Sequence, residues 1–391
     1  MLTLIKNTEV YAPHYLGRKD VLLAANKIGY IKDTINLDSS SIDVKIIDGT
    51  GKLLVPGFID AHVHLIGGGG EGGFKTRTPE LNLTDATTAG ITTVVGVLGT
   101  DGTTRRIESL LAKAHALDEE GITAYIHSGS YQIPVKTLTG KIEEDLIFIE
   151  KILGVGEIAI SDHRSSEPAF EELVKIAAAA RNGGLITGKA GLLEIHVGDS
   201  DRKLDLLFEI AEKTDIPMHH FHPTHINRNA ELFEEGIRYT EIGGYVDLTT
   251  STIPHFLEEG EVKCSKGLRL MLERGVSINQ ITFSSDGQAS LPYFNEDGDF
   301  AGLQVGRVSS LYKEVRSSVL DEGIPLESAL QVITSNPARI LKLKNKGEIK
   351  EEKDADLVVL DKEKLTIDTV IAKGKVMVEG GVPIIKGTFE N

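Results

Sequence analysis

The stretch PGFIDAHVHL, residues 56–65, closes an apolar strand-like run with two histidines one residue apart. Alternate residues of a β-strand point to the same face, so the His62 and His64 imidazoles can converge above the strand end. Two converging imidazoles suit a divalent metal ion. Because histidine pairs at this spacing also occur without a metal, the meaning of this pair depends on the rest of the chain.

The composition is that of an ordinary globular protein. Of 391 residues, 40% are hydrophobic and 26% are charged, so the chain can bury a large core, and two domains are expected. The net charge of −16 argues against a nucleic acid or an anionic membrane as a partner. Cys264 is the only cysteine, so any metal must bind histidine and carboxylate. Without a signal-peptide pattern or a run of about 20 apolar residues, a cytoplasmic location is expected.

Strand-like runs alternate with helix-like segments along the middle of the chain. Eight such runs cover residues 53–64, 91–98, 123–130, 156–162, 192–198, 217–225, 245–251 and 281–287. A typical intervening segment is 165–184, where we expect Ser166 to cap a helix, Pro168 to lie in its first turn and Gly183 to end it. Eight β/α units in regular succession predict a (β/α)8 TIM barrel over residues 53–345.

The two flanks differ from the middle. Residues 1–52 and 346–391 carry short alternating runs with glycine turns, which are typical of small β-structure. Because both ends share this character, we expect them to form one small β-sandwich domain, with the barrel inserted between them.

The predicted carboxyl ends of the barrel strands carry histidines and carboxylates, and functional side chains of TIM barrels lie at these ends. They are His62 and His64 on strand one, Asp162 and His163 after strand four, His196 on strand five, His225 on strand six and Asp286 on strand eight. Strand four also contains the mid-strand carboxylate Glu157, and it leads on to Arg164. Nitrogen and oxygen ligands of this number would bind two divalent ions, with Zn²⁺ as the first expectation. Two ions about 3.5–4 Å apart can share a hydroxide, which predicts hydrolysis.

Five segments together resemble the isoaspartyl (β-aspartyl) dipeptidases of the amidohydrolase superfamily: PGFIDAHVHLIGGGGEGG, SDHRS, HVGDS, PTHINRN and FSSDG. The resemblance runs nearly from end to end. It implies a metallo-dipeptidase that cleaves the isopeptide bond of β-aspartyl dipeptides. It also implies that His62, His64 and Asp286 bind the more buried metal, and that His196 and His225 bind the other.

The resemblance implies further roles around the metals. Asp286 would act as general acid/base toward a metal-bridging hydroxide, and Tyr131 would hydrogen-bond the substrate carbonyl oxygen. A β-aspartyl dipeptide carries one amine and two carboxylates, so its site needs one anion and at least two carboxylate binders. The residues implied are Glu71 for the amine, Arg164, Arg228 and Ser290 for the carboxylates, and Gly69 and Thr100 along the aspartyl half. Structural salt bridges are the alternative role for the two arginines.

One position departs from the family pattern. The isoaspartyl dipeptidases usually carry a carboxylated lysine that bridges both metals, and the residue aligned with it, counting back from SDHR, is Glu157. Glutamate offers the same carboxylate head on a shorter stem. We expect Glu157 to bridge the metals if they lie closer to strand four. A site with one metal, or an inactive site, is the alternative.

Three functions of different classes compete. The first is the β-aspartyl dipeptidase. The second is an amidohydrolase acting on cyclic amides, like a hydantoinase or dihydroorotase, which Glu71, Arg164 and Arg228 argue against. The third is a non-catalytic scaffold of the same fold, which the retained metal ligands argue against. A mononuclear deaminase is less compatible with a bridging carboxylate on strand four. The family resemblance also implies a homo-oligomer.

Overall fold

The computed structural model describes residues 2–37, 43–294 and 300–390. Its strands are β1 Leu2–Tyr11, β2 Tyr15–Ala24, β3 Lys27–Lys32, β4 Val44–Asp48, β5 Lys52–Pro56, β6 Phe58–Val63, β7 Ile91–Gly96, β8 Thr123–Ser128, β9 Ile152–Ile160, β10 Leu193–Val197, β11 Phe221–Thr224, β12 Val246–Thr249, β13 Ile281–Ser284, β14 Ser290–Phe294, β15 Phe300–Val305, β16 Leu357–Asp361, β17 Ile367–Ala372, β18 Lys375–Glu379 and β19 Val382–Pro383. Its α-helices are α1 Leu83–Thr88, α2 Ile107–Glu120, α3 Ile142–Phe148, α4 Phe170–Thr187, α5 Asp205–Lys213, α6 Ala230–Glu241, α7 Pro254–Glu258, α8 Cys264–Glu273, α9 Ser310–Leu320, α10 Leu326–Gln331 and α11 Ser335–Ile340.

Strands β6 to β13 form a curled parallel sheet in chain order. β6 to β11 pair successively in one sheet, and β12 pairs with β13. β12 lies beside β11, and β13 lies beside β6. Just beyond β6 and β13, the His64 N–H donates to the Gly287 carbonyl (2.9 Å) and the Asp286 N–H to the His62 carbonyl (3.1 Å). This arrangement is consistent with the predicted TIM barrel, and it brings the carboxyl ends of the strands to one face.

The interior of the curled sheet is partly polar, whereas its outer side packs apolar residues against helices. Ile126, Val155 and Ile195 on the strands share one core with Leu110 and Leu117 of α2. Polar contacts join strands that are not neighbours, such as β6 with β10 and β11 with β13, so they must cross the interior. The strands are buried on both faces, which explains their nearly continuous apolar sequence.

The two chain ends meet in one nine-stranded sheet. Its pairing path is β19, β18, β17, β16, β5, β1, β2 and β3, and β4 pairs with β1 in parallel. The antiparallel pair of β5 with β16 joins the amino-terminal and carboxy-terminal parts of the chain. These strand pairs form a single mixed sheet. The two-layered β-sandwich expected from the two flanks stays a prediction.

The first predicted barrel strand, 53–64, is in fact two strands divided at Gly57. The Gly57 N–H donates to the Asp356 carbonyl at 2.7 Å, and a Cβ at this position would lie 2.3 Å from Thr92 Oγ1. The close approach of β7 therefore requires glycine, and the chain changes sheets there. β5 joins the terminal sheet, whereas β6 carries the histidine pair into the barrel.

The predicted helix over 165–184 is shifted along the chain. α4 begins after Ala169, not after Ser166, and it ends at Gly188, which adopts the left-handed conformation with φ 74°. Gly183 lies inside the helix, where a Cβ would come 2.9 Å from Leu146 of α3. Gly183 thus serves helix packing, and the next suitable glycine ends the helix. Among the helices that the structure describes, none is both long and apolar enough to cross a bilayer.

Candidate active site

A cavity of about 710 Å³ opens at the carboxyl ends of the barrel strands. It gathers residues from strand ends and from the loops that follow them. The predicted site residues on its wall are His64, Gly69, Glu71, Thr100, Tyr131, Glu157, Arg164, His196, His225, Arg228, Asp286 and Ser290. His62 is fully buried. The structure therefore brings together the residues that the sequence patterns and the family resemblance singled out.

The histidine pair and Asp286 form the deeper end of the site. Asp286 Oδ1 lies 3.4 Å from His62 Nε2 and 3.1 Å from His64 Nε2. Burial alone would raise the pKa of Asp286, but the adjacent imidazoles of His62 and His64 hold it well below its ordinary value. The carboxylate is thus ionised beside two imidazoles, as a metal ligand must be.

Glu157 lies among four imidazoles. Its Oε2 is 3.1 Å from His196 Nδ1, 3.6 Å from His62 Nε2 and 3.8 Å from His225 Nε2, and its Oε1 is 3.6 Å from His64 Nε2. Burial alone would raise the pKa of Glu157, but the surrounding imidazoles, that of His62 above all, hold it well below the usual range. The shorter glutamate stem therefore reaches every histidine of the predicted metal centre.

The donor atoms of this cluster fit a metal centre. His62, His64 and Asp286, and likewise His62, Glu157 and His225, offer ligand atoms within 4.8 Å of one another. In the described part of the chain, His62 Nε2, Glu157 Oε1 and Asp286 Oδ1 are buried without a hydrogen-bond partner. Buried polar atoms are rarely left unpaired, and a cation between them would satisfy all three.

Glu194 orients the first histidine, although the sequence analysis did not single it out. Its Oε1 lies 3.0 Å from His62 Nδ1, and its Oε2 lies 3.5 Å from His127 Nε2. An ionised carboxylate only accepts hydrogen bonds, so the contact with Glu194 requires the proton of His62 to lie on Nδ1. His62 Nε2 is then unprotonated and can act as a metal ligand. The sequence did offer one indication of this role: Glu194 lies two residues before His196, and alternate residues of β10 face the same side of the sheet.

Backbone strain accompanies two of the candidate ligands. His225 and Asp286, which follow β11 and β13, have φ of 64° and 52°. Residues other than glycine adopt this left-handed region at a cost, and they do so most often at functional sites. Both side chains line the cavity.

Asp162 joins the metal cluster to the loop after β9. Its Oδ2 lies 3.0 Å from His196 Nε2, and it also accepts from Arg164 Nη2 at 2.7 Å. Burial alone would raise the pKa of Asp162, but the hydrogen bonds from His196 and Arg164 hold it far below its ordinary value. The hydroxyl oxygen of Tyr131 lies 2.9 Å from Nδ1 of the same His196 imidazole.

A second cluster surrounds Glu71 at the cavity mouth. Thr100 Oγ1 donates to Glu71 Oε1 at 2.7 Å, Ser290 Oγ donates to Oε2 at 3.3 Å, and Arg164 Nη1 is 3.7 Å from Oε1. Gly69 has φ 69°, and a Cβ there would lie 3.0 Å from the Ser290 Cβ. Only glycine allows this loop to pass so close to β14, which brings the anion and the two hydroxyls together.

Two further arginines shape the cavity. Arg228 reaches the wall from the loop after β11, and its N–H donates to the His225 carbonyl at 2.9 Å. Arg105, which the sequence analysis did not identify, donates to the carbonyls of Ile66 (3.2 Å), Gly69 (3.3 Å) and Thr78 (3.4 Å). No local pattern distinguishes Arg105, because its partners lie in another loop.

The fold and the site together are those of a hydrolase with a candidate metal-binding cluster. The Amidohydrolase family model matches residues 53–250 and 255–377, and the chain belongs to this family. A crystal structure of the β-aspartyl dipeptidase of Fervidobacterium islandicum AW-1 in complex with β-Asp-Leu is 46% identical, with a TM-score of 0.92, over 98% of this chain and 97% of that chain. A second structure of β-aspartyl dipeptidase from that organism is 44% identical, with a TM-score of 0.89, over 98% of both chains. The dihydroorotase of Pediococcus pentosaceus is 23% identical over 405 residues, covering 93% of this chain and 90% of its own. The predicted resemblance to the isoaspartyl dipeptidases is confirmed.

Proposed function

We propose that this protein is a binuclear metallo-dipeptidase that hydrolyses the isopeptide bond of β-aspartyl dipeptides. The observation that carries the proposal is one cavity in which a histidine and carboxylate cluster adjoins Glu71, Arg164 and Arg228. One anion and two cations match the amine and the two carboxylates of such a substrate. The similarity to a β-aspartyl dipeptidase solved with β-Asp-Leu supports the same substrate class.

Two divalent ions, with Zn²⁺ expected, would be held by the buried cluster. His62, His64 and Asp286 would hold one ion, His196 and His225 would hold the other, and Glu157 would contact both. The ions would supply Lewis acidity and an activated water at neutral pH. The approach of Glu157 to four imidazoles supports its bridging role in place of a carboxylated lysine.

Asp286 would move the proton during the reaction. Its Oδ1 lies among the imidazoles of His62 and His64, which leaves Oδ2 to accept the proton of the attacking water and to deliver it to the leaving amine. The leaving amine cannot depart as an anion at neutral pH, so this delivery is required for turnover.

Tyr131 would stabilise the charge that develops on the substrate carbonyl oxygen. Burial raises the pKa of the phenol well above its ordinary value, so it stays protonated and can donate a hydrogen bond. Its position against His196, at 2.9 Å from Nδ1, places the donor at the edge of the metal cluster.

The Glu71 cluster would select the aspartyl half of the substrate. Thr100 and Ser290 hold the two carboxylate oxygens of Glu71, so the anion is oriented before an amine arrives. Arg164 and Arg228 would hold the substrate carboxylates, and Gly69 lets the backbone approach the same half closely.

Hydrolysis of a cyclic amide is the second candidate, because the chain is 23% identical to a dihydroorotase. Dihydroorotate has one carboxylate and no amine, so Glu71 would face no cation in that complex. The test is to incubate metal-loaded protein with β-Asp-Leu and with dihydroorotate, and to measure free aspartate and ring opening. We expect aspartate release alone. Ring opening at a comparable or higher rate would replace the dipeptidase proposal by the cyclic-amide one.

Two expectations about organisation accompany this proposal. We propose that residues 57–345 form the hydrolase barrel and that residues 1–56 and 346–391 form the small β-domain. Since β5 pairs within the terminal sheet, the boundary expected at residue 53 moves to Gly57. We also propose a homo-oligomer, which a measurement of molar mass in solution would test.

A further inference from the structure

Asp162 connects two parts of the site that the proposed function treats separately. It lies on the loop after β9 and is only 2% exposed. One of its oxygens, Oδ2, lies 3.0 Å from His196 Nε2 and accepts from Arg164 Nη2 at 2.7 Å. The other, Oδ1, accepts from Arg164 Nε at 2.9 Å and from the Arg164 backbone N–H at 2.8 Å. A metal-ligand candidate and a substrate-binding candidate thus share one buried carboxylate.

The contact with His196 decides which ring nitrogen faces the metal cluster. Each ring nitrogen of His196 faces a carboxylate: Nε2 lies 3.0 Å from Asp162 Oδ2, and Nδ1 lies 3.1 Å from Glu157 Oε2. Because Glu157 belongs to the candidate metal cluster, His196 can bind a metal beside it only through an unprotonated Nδ1, and the proton then lies on Nε2, where the Asp162 carboxylate accepts it. Without an acceptor at Nε2, the proton could occupy either nitrogen and the ring could rotate.

The contact with Arg164 decides which edge of the guanidinium faces the cavity. Asp162 occupies Nε and one side of Nη2 in a bidentate pair, and the Tyr131 ring lies 5.5 Å from the guanidinium carbon. Nη1 is turned instead toward the Glu71 cluster, 3.7 Å from Glu71 Oε1. A substrate carboxylate would therefore meet the terminal edge of Arg164 in one fixed orientation.

We propose that Asp162 is a positioning residue that holds His196 and Arg164 in one hydrogen-bonded unit, so that metal affinity and recognition of one substrate carboxylate both depend on it. A single asparagine oxygen can accept from only part of this set, and its amide would point a donor at another donor. The substrate part of this inference rests on the proposed function, whereas the metal part does not.

The test uses Asp162→Asn in the full-length protein, with Asp162→Glu as a second variant that keeps the charge. Asp356→Asn is the matched control, because Asp356 is also buried, at 6% exposure, and pairs with a lysine outside the cavity. Co²⁺ affinity is measured by spectroscopic titration without substrate. The KM is then measured for β-Asp-Leu, for β-alanyl-leucine, which lacks the aspartyl carboxylate, and for β-Asp-Leu amide, which lacks the terminal carboxylate. Analogues that turn over too slowly are measured as competitive inhibitors.

We expect Asp162→Asn to weaken Co²⁺ binding by about 10- to 100-fold. The KM for β-Asp-Leu should rise by about 10-fold or more, and this penalty should fall below about threefold for one of the two analogues. Asp162→Glu should show the same pattern with smaller changes, and Asp356→Asn should alter stability alone. Unchanged Co²⁺ affinity, or an equal penalty on all three compounds, would overturn the inference. If the unaltered protein cleaves none of them, the proposed function fails, and the Co²⁺ titration still decides the role of Asp162.

Discussion

Replacing Glu157 with glutamine removes one buried negative charge and leaves the side-chain volume unchanged. The carboxylate oxygens lie 3.1–3.8 Å from nitrogens of four imidazoles. Two unit charges at about 4 Å attract each other by roughly 4 kcal/mol at an effective dielectric constant of about 20. If the carboxylate holds a cation in this cluster, the loss of one such interaction should raise the metal dissociation constant by about 1000-fold.

The assay is a competition titration of metal-free Glu157→Gln with Zn²⁺ against a chromophoric chelator, followed by elemental analysis of the loaded protein. Glu314→Gln is the control, because Glu314 is buried outside the cavity, where it accepts from the Ser265 N–H at 3.0 Å. We expect the control to bind as the unaltered protein does. A dissociation constant for Glu157→Gln within about threefold of the unaltered value would refute the bridging role.

Three other perturbations test separate parts of the account. Asp286→Asn should lower kcat by at least about 100-fold with an unchanged circular dichroism spectrum, since general acid/base catalysis is lost; retained turnover would contradict its role. Arg105→Met removes three hydrogen bonds to backbone carbonyls around the Glu71 loop, and the KM for β-Asp-Leu should rise by about 10-fold with a smaller change in kcat; an unchanged KM would contradict this. Burial, with the neighbouring His219 and Arg181 charges, lowers the pKa of His220 to about 4. Because this pKa is lower in the folded than in the unfolded chain, the stability associated with neutral His220 is fully present above about pH 6.5 and is lost as the pH falls toward 4. His220→Gln should therefore reduce the decrease in the free energy of unfolding between pH 7 and 5 by up to about 2 kcal/mol. Parallel curves of unfolding free energy against pH for the variant and the unaltered protein would disprove this.

The order of the barrel strands follows from the sequence because each buried strand is a short apolar run bounded by polar segments. β7, β8, β10 and β13 begin within one residue of their predicted starts. The split at Gly57 escapes this pattern, since no polar side chain interrupts LLVPGFI, residues 53–59, and the close approach of Thr92 to Gly57 is visible only in the structure. The hairpin of β14 and β15 was also not predicted, although Ser290 at its start was identified through the family resemblance.

The histidines and Asp286 could be found because they lie at or just beyond the ends of barrel strands, where the fold itself brings side chains together. Glu157 lies inside β9, and the family resemblance singled it out as the bridging candidate. Residues that act through distant partners could not be found in this way. Glu194 contacts His62 across 132 positions of the chain, and Arg105 contacts loop carbonyls up to 39 positions away. Such contacts depend on the closed arrangement of the strands and leave no local pattern in the sequence.

The most direct test of the proposed dipeptidase activity is the rate of aspartate release from β-Asp-Leu and from α-Asp-Leu by the same metal-loaded sample. In α-Asp-Leu the scissile carbonyl lies one carbon nearer the amine, so the Glu71 cluster and the metal cluster cannot both engage it in the same way. We expect release from β-Asp-Leu alone, and loss of that release after metal removal by a chelator. Equal rates on the two linkages, or a rate that survives complete metal removal, would contradict the proposed function.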